Sequence, residues 1–389
     1  MKTAAQVLVF PAWRDNPFLN LLSLSARSSG YRFLDATNFH KLLEQADRLQ
    51  GRDIFHLHWT YPLLQNATSG EGARARLSQF SEMLQSLRQR GVTIIWTIHN
   101  RIPHELHYKE PEIELHHLLA SEADVIHIMA PDTPAVMSDV VELDPAKIHI
   151  LPHPSYQGVY DVGLDRDAAR SSFDLEATDK SVLFLGQIRP YKGVQALIEA
   201  TSLAAKTSNS RLVLMLAGVV KDLRVEDFTA AIPDHLATRT FFDFVPDGDL
   251  SRWFRAADVA VFPYQAILNS GSVHLAATFG VPTLLPGEDH LRRQFGDERW
   301  VAFFDKERPS ESIAELLNDP DLFKDLTEHD FTRFTSRISP WDISRQYHRL
   351  IDRHALRPLS DQTSELLPTP RRKRSRRMMK DRFTARGTQ

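Results

Sequence analysis

Short apolar runs alternate with stretches of helical periodicity along most of the chain. In the first half, the runs at 7–10, 54–58, 93–98, 125–128 and 148–151 predict strands, with helical patterns such as 77–90 and 111–121 between them. In the second half the predicted strands are 182–185, 212–217, 240–244, 259–262 and 283–285, separated by helices such as 194–204 and 250–256. Near-continuous apolar strands that take turns with helices are what a parallel sheet covered on both faces requires. The expected fold class is therefore α/β, with two successive doubly wound, Rossmann-like units. An N-terminal domain is expected over 1–160 and a C-terminal one over 170–340. The junction falls in the polar segment 156–172, which holds Gly158, Gly163 and several aspartates. After Pro340, residues 341–356 read as an amphipathic helix with Ile343, Tyr347, Leu350 and Ile351 on one face. Residues 357–389 are rich in Pro, Ser and Arg with little apolar content, and disorder is expected there.

A length of 389 residues suits two domains, each able to bury its own core, and 42% apolar with 25% charged residues is a globular composition. No run of 18 apolar residues occurs, so no membrane span is expected. The N-terminus leads directly into the first strand, so no signal peptide is read and a cytoplasmic location is expected. Cysteine is absent, which excludes disulfides and thiolate metal sites. The net charge of −3 hides an asymmetry. Residues 371–389 carry nine Lys/Arg against one acid, Asp381, a surplus of eight that leaves the rest of the chain at −11. That tail is a candidate for contact with an anionic membrane, with a solvated, idle end as the bland alternative. The acidic body opposes nucleic-acid binding, and none is expected.

The segment Gly186-Gln187-Ile188-Arg189-Pro190-Tyr191-Lys192-Gly193 carries the most chemistry. It follows a buried-strand pattern and opens a helical one. Its two cations can neutralise phosphate oxygens while its glycines allow close backbone approach. A second candidate anion site, Asn269-Ser270-Gly271-Ser272, precedes another helical run. A plain helix N-cap by Ser270 or Ser272 would explain that second segment equally well. Together the two segments suggest a nucleotide diphosphate held between them. The first βα turn, Phe10 to Pro17, contains no glycine, so the dinucleotide fingerprint is absent and a nicotinamide or flavin dehydrogenase is not expected.

The set Gly186…Arg189…Lys192-Gly193, Ala217-Gly218, Phe244-Val245-Pro246-Asp247, Ala256-Ala257-Asp258-Val259, Phe262-Pro263-Tyr264 and Gly280-Val281-Pro282 resembles the donor half of the GT-B glycosyltransferases. The resemblance covers about 180–290 and is weaker elsewhere. It implies two Rossmann-like domains facing a cleft, a helix crossing back to the first domain, and transfer of a sugar from a GDP- or UDP-linked donor to a glycan or lipid-linked acceptor. It also implies no metal and no other cofactor. On this basis Gly186, Arg189, Lys192, Ser270, Gly271 and Ser272 are expected at the donor diphosphate, and Val245, Tyr264 and Asn269 around the nucleotide and sugar. One departure matters. Retaining members carry two glutamates eight residues apart, and here Ile267 and Leu275 stand in those places. The Asn269–Ser272 variant is similar to bacterial exopolysaccharide transferases, including β-mannosyltransferases, so donor sugar and stereochemistry stay open. Two alternatives stay in play: a sugar-nucleotide epimerase of the same fold, and a non-catalytic partner subunit, which the missing carboxylates make plausible.

In the N-terminal half, His99 ends a predicted strand and resembles the histidine beside the transferred sugar. Glu105 and His104 follow as candidate acid–base groups. His58, Trp59, Asn16 and His153 are expected on the acceptor side. His56 and His58 share one strand face, yet a metal site there needs a third ligand and none is expected.

Overall fold

The computed structural model describes residues 5–13 and 16–355. The expected disorder of 357–389 and the basic segment 371–389 lie outside the described residues. The N-terminal sheet comprises β1 (Gln6–Phe10), β2 (Arg32–Asp35), β3 (Ile54–Leu57), β4 (Thr93–Thr97), β5 (Val125–Ile128) and β6 (Ile148–Ile150). The order across it is β2-β1-β3-β4-β5-β6, every pair parallel. The C-terminal sheet comprises β7 (Lys180–Leu185), β8 (Leu212–Ala217), β9 (Ala237–Phe241), β10 (Val259–Val261), β11 (Thr283–Pro286) and β12 (Val301–Phe304). Its order is β12-β11-β10-β7-β8-β9, again all parallel. Two doubly wound α/β domains result, as the alternation of apolar runs and helices predicts.

Central strands have helices on both faces, so both faces must be apolar; every residue of β8 is buried. Edge strands escape that demand. β2, Arg32-Phe33-Leu34-Asp35, is half-buried, carries a charge at each end, and left no apolar run to read. β9 begins at Ala237, earlier than the expected 240, because its Thr238 and Arg239 interrupt the pattern. β12 is apolar but only four residues long, too short for periodicity to separate strand from helix.

Each sheet reverses its winding once, between β1 and β3 and between β7 and β10. Loops leaving the strand ends on either side of such a reversal diverge and open a crevice, the place where these sheets hold ligands. The glycine-bounded turn follows β7, and Asn269–Ser272 lies in the connection after β10. Both candidate anion segments therefore flank one crevice.

The helix Pro340–Ala355 packs against α1 (Pro17–Ser28) and the N-terminal sheet. Ile343, Tyr347, Leu350 and Ile351 are buried there with Val7, Val9, Phe18, Leu22 and Ile54. Each such aliphatic side chain contributes about 1.5–3 kcal/mol by leaving water. Ser25 N–H donates to Ser344 Oγ at 2.7 Å, and Tyr31 O–H to Asp352 at 2.5 Å. The two chain crossings between the domains run together, with Ser155 N–H donating to the Ile338 carbonyl (2.8 Å) and Ser155 Oγ–H to that of Thr335 (3.0 Å). Among the described residues no helix is long and apolar enough to cross a membrane.

Candidate active site

On the C-terminal side, Pro190–Lys192 forms one 3-10 turn that Gly193 ends in the left-handed region at φ +67°. A Cβ on Gly193 would lie 2.0 Å from the Pro263 carbonyl oxygen, so the turn is pressed against the loop after β10. Gln265 N–H donates to the Tyr191 carbonyl at 3.0 Å and ties the same two loops. The helix Gly271–Thr278 starts on the opposite wall. Ser270 has an extended backbone at its N-cap, but no side-chain cap hydrogen bond forms there. The plain-cap explanation of this segment thus loses its main support, because the Ser270 hydroxyl does not take up the helix-end donors. Ser272 Oγ lies 3.9 Å from the Cβ position of Gly186, which brings the two anion-attracting segments face to face. Gly271 itself sits where a Cβ would meet Tyr156 Oη at 2.7 Å.

Arg189 reaches across to the N-terminal domain. Its guanidinium is mostly buried and donates to a Glu105 carboxylate oxygen, to Asp222 at 3.1 Å and to Gln187 Oε1 at 3.1 Å. Tyr61 O–H donates to the other Glu105 oxygen at 2.8 Å. Lys192 Nζ lies 3.9 Å from the centre of the Tyr264 ring, a cation–π contact. His104 stacks on Tyr191 with ring centres 3.9 Å apart and planes within 9°. Burial, then the charges of Lys192 and Arg189, pull His104 from its ordinary 6.5 down to about 4. Near neutral pH it is therefore an uncharged imidazole beside two cations.

His99 lies two residues past the end of β4, at the cleft. Its Nε2 is 3.1 Å from His58 Nδ1, Trp59 stacks on it at 4.0 Å, and the edge of Phe18 meets it at 5.1 Å. Asn269 Nδ2 donates to the His99 carbonyl at 3.2 Å, a contact from the donor-side loop to this strand end. Burial foremost, then neighbouring histidines, holds His99 well below its usual range. It is therefore an uncharged imidazole near neutral pH. His153 donates from Nδ1 to the Pro154 carbonyl (2.7 Å), stacks on His274 at 4.4 Å, and has Nε2 3.6 Å from the Cβ position of Gly271. Trp13 extends the aromatic wall, 4.7 Å from Trp59. Asn16 caps α1, its Oδ1 accepting from Phe18 N–H at 3.0 Å.

Behind this wall runs a buried polar chain whose direction is fixed by its end. The Leu151 carbonyl can only accept, so His127 Nε2–H donates to it (2.9 Å) and His127 Nδ1 must accept from Thr97 Oγ1–H (2.8 Å). Thr97 Oγ1 then accepts from His56 Nε2–H (2.7 Å), and His56 Nδ1 from Tyr347 O–H (2.8 Å). Both histidines are held neutral, chiefly by burial. The chain joins the crossover helix to β3, β4, β5 and the start of the interdomain connection.

The geometry brings Glu105, His104, Tyr61 and Arg189 together at the cleft, with Lys192 on the donor wall beside them. His99, His58, Trp59 and Asn269 form a second, adjoining cluster. The side chain of Val245 is buried in the C-terminal core, so a nucleotide would meet its main chain; the neighbouring Phe244 is 64% exposed. Ile267 and Leu275 are also buried in that core, which explains apolar residues at those positions here. Sequence reasoning missed Tyr61, Tyr156, Asp222 and His274. Their partners lie 33 to 122 positions away along the chain, beyond any local motif. Among the described residues no group of three or more His, Asp or Glu side chains is placed to hold a metal ion.

Residues 165–331 match the family model described as glycosyl transferases group 1. A GDP-mannose:glycolipid 4-β-D-mannosyltransferase of Xanthomonas campestris pv. campestris is 26% identical over 271 residues, spanning 68% of this chain and 71% of that protein. In fold, the chain is similar to sucrose-phosphate synthase from Thermosynechococcus elongatus, with a TM-score of 0.68 at 14% identity over 90% of this chain and 98% of that one. It is also similar to Anabaena HepE in complex with UDP, with a TM-score of 0.64 at 11% identity over 90% and 100% of the two chains. Matched domain, a relative aligned over about two thirds of each chain and shared architecture support a sugar-transferring enzyme of the GT-B fold.

Proposed function

We propose that the protein transfers a sugar from a nucleotide-diphosphate donor, GDP-linked in preference to UDP-linked, to a glycan or glycolipid acceptor in polysaccharide biosynthesis. The observation that carries the reading is that the glycine-bounded turn bearing Arg189 and Lys192 begins at Gly186, which faces Ser272 at the uncapped start of the helix Gly271–Thr278. The mannosyltransferase relative, aligned with 68% of this chain, favours GDP and a glycolipid.

The acceptor hydroxyl attacks the anomeric carbon while the bond from that carbon to the diphosphate oxygen breaks. Negative charge grows on the leaving diphosphate, and Arg189 and Lys192 oppose it where a divalent ion serves elsewhere, so transfer is metal-independent. The hydroxyl proton passes to Glu105 or to neutral His99, with His104 as an uncharged neighbour. Trp59 and Trp13 offer a face for an acceptor sugar, and His58, His153 and Asn16 border it. The basic segment 371–389 holds the enzyme on the anionic inner face of the membrane, near a lipid-linked acceptor. Its removal is expected to abolish cofractionation with membranes, and unchanged cofractionation would refute that attachment.

The test is thermal unfolding with GDP, UDP and ADP in the presence of a chelator. A rise in Tm with GDP that disappears in Lys192→Ala supports the reading. No rise with any diphosphate sinks it.

A further inference from the structure

We propose that Glu105 occupies the donor's place on Arg189 until the nucleotide sugar arrives, so that donor binding releases the carboxylate for the acceptor. The inference rests on the reading of Arg189 as a diphosphate ligand and adds a competitor for that ligand within the chain.

Three observations carry it. The Arg189 guanidinium, mostly buried, is already satisfied by Glu105, Asp222 and Gln187. Glu105 belongs to the other domain, on the loop after β4, so its bond to Arg189 spans the cleft that a donor must enter. Its second oxygen accepts from Tyr61 O–H at 2.8 Å, which gives the carboxylate an anchor of its own domain when Arg189 is withdrawn.

Charge then dictates an exchange. Arg189 meets both Glu105 and Asp222, one cation between two carboxylates, with Lys192 three positions further along the same turn. A nucleotide-sugar diphosphate adds about two negative charges, and like charges juxtaposed in a partly buried site repel strongly. One carboxylate has to leave the guanidinium. Asp222 is half-exposed on the same domain as Arg189 and can swing into water, but a donor lying between the domains meets Glu105 directly. Glu105, freed from its cation and kept by Tyr61, regains basicity at the moment a donor is present. A carboxylate locked to an arginine is a poor base; released, it can take the acceptor proton. Without donor the same ion pair joins the domains across the cleft and keeps the base silent.

The experiment is isothermal titration of GDP into the full chain and into Glu105→Gln, Glu105→Ala, Asp222→Asn and Arg189→Ala. Removing the competitor is expected to tighten GDP about two- to tenfold in both Glu105 variants, and less in Asp222→Asn. Donor hydrolysis in Glu105→Gln should slow despite the tighter binding. Unchanged or weaker GDP binding in both Glu105 variants, with binding lost in Arg189→Ala, overturns the exchange and leaves the diphosphate reading intact. Unaltered binding in Arg189→Ala overturns the diphosphate reading itself.

Discussion

Gly193 offers a way to move the donor turn without touching its cations. Replacing it by alanine has two separable costs. Its backbone at φ +67° lies in the left-handed region, which disfavours a residue with a Cβ by about 1–2 kcal/mol. The new Cβ would also lie 2.0 Å from the Pro263 carbonyl oxygen and 3.0 Å from its carbon, both backbone atoms that cannot rotate away. The turn would have to shift by roughly 1 Å, the scale of displacement that disables a site built on positioned groups. Gly280 supplies the control. Its φ is +71°, yet the nearest atom to a new Cβ is Phe331 Cδ2 at 4.0 Å, an ordinary contact. Gly280→Ala should therefore show the backbone cost alone. Gly193→Ala should lose a further 1–3 kcal/mol or so in urea unfolding and most of its GDP affinity. Equal stability losses in the two variants, with GDP binding retained in Gly193→Ala, would refute the clamping of this turn.

Thr97→Val keeps shape but removes the hydroxyl in the middle of the buried chain, orphaning His56 Nε2–H and His127 Nδ1 together. A loss of about 2–4 kcal/mol is expected by urea denaturation, and a loss under 1 kcal/mol would contradict the assigned chain. Acid should destabilise the fold through buried histidines. His127 and His274 are pushed by burial from 6.5 to about 4, so the unfolded chain binds their protons first. Stability is then complete above about pH 6.5 and falls as pH drops toward 4, each of the two contributing on the order of 3 kcal/mol over that window. Stability that rises as pH falls from 6.5 to 4.5 would refute the neutral burial of these histidines.

The central strands were legible because parallel sheets require uninterrupted apolar runs, and β8 is the plainest case. β2 was not, since an edge strand tolerates Arg32 and Asp35 at its ends. The donor turn could be read because glycines, cations and a strand-to-helix change occur within eight neighbouring residues. The same locality explains what was hidden. The partnership of Arg189 with Glu105 joins residues 84 positions apart, and that of Tyr61 with Glu105 spans 44. No spacing rule reaches so far. Val245 illustrates the converse error of scale: a motif marks a segment, but which of its atoms faces a ligand depends on packing that brings Val245 inward and leaves Phe244 outside.

A crystal structure of the full chain with bound GDP tests the central claim most directly. The account predicts the diphosphate between the Arg189 and Lys192 side chains and the backbone N–H groups at the start of the helix Gly271–Thr278, with Glu105 displaced from Arg189. A diphosphate seated elsewhere, with Arg189 still on Glu105 and Lys192 still on Tyr264, would contradict it.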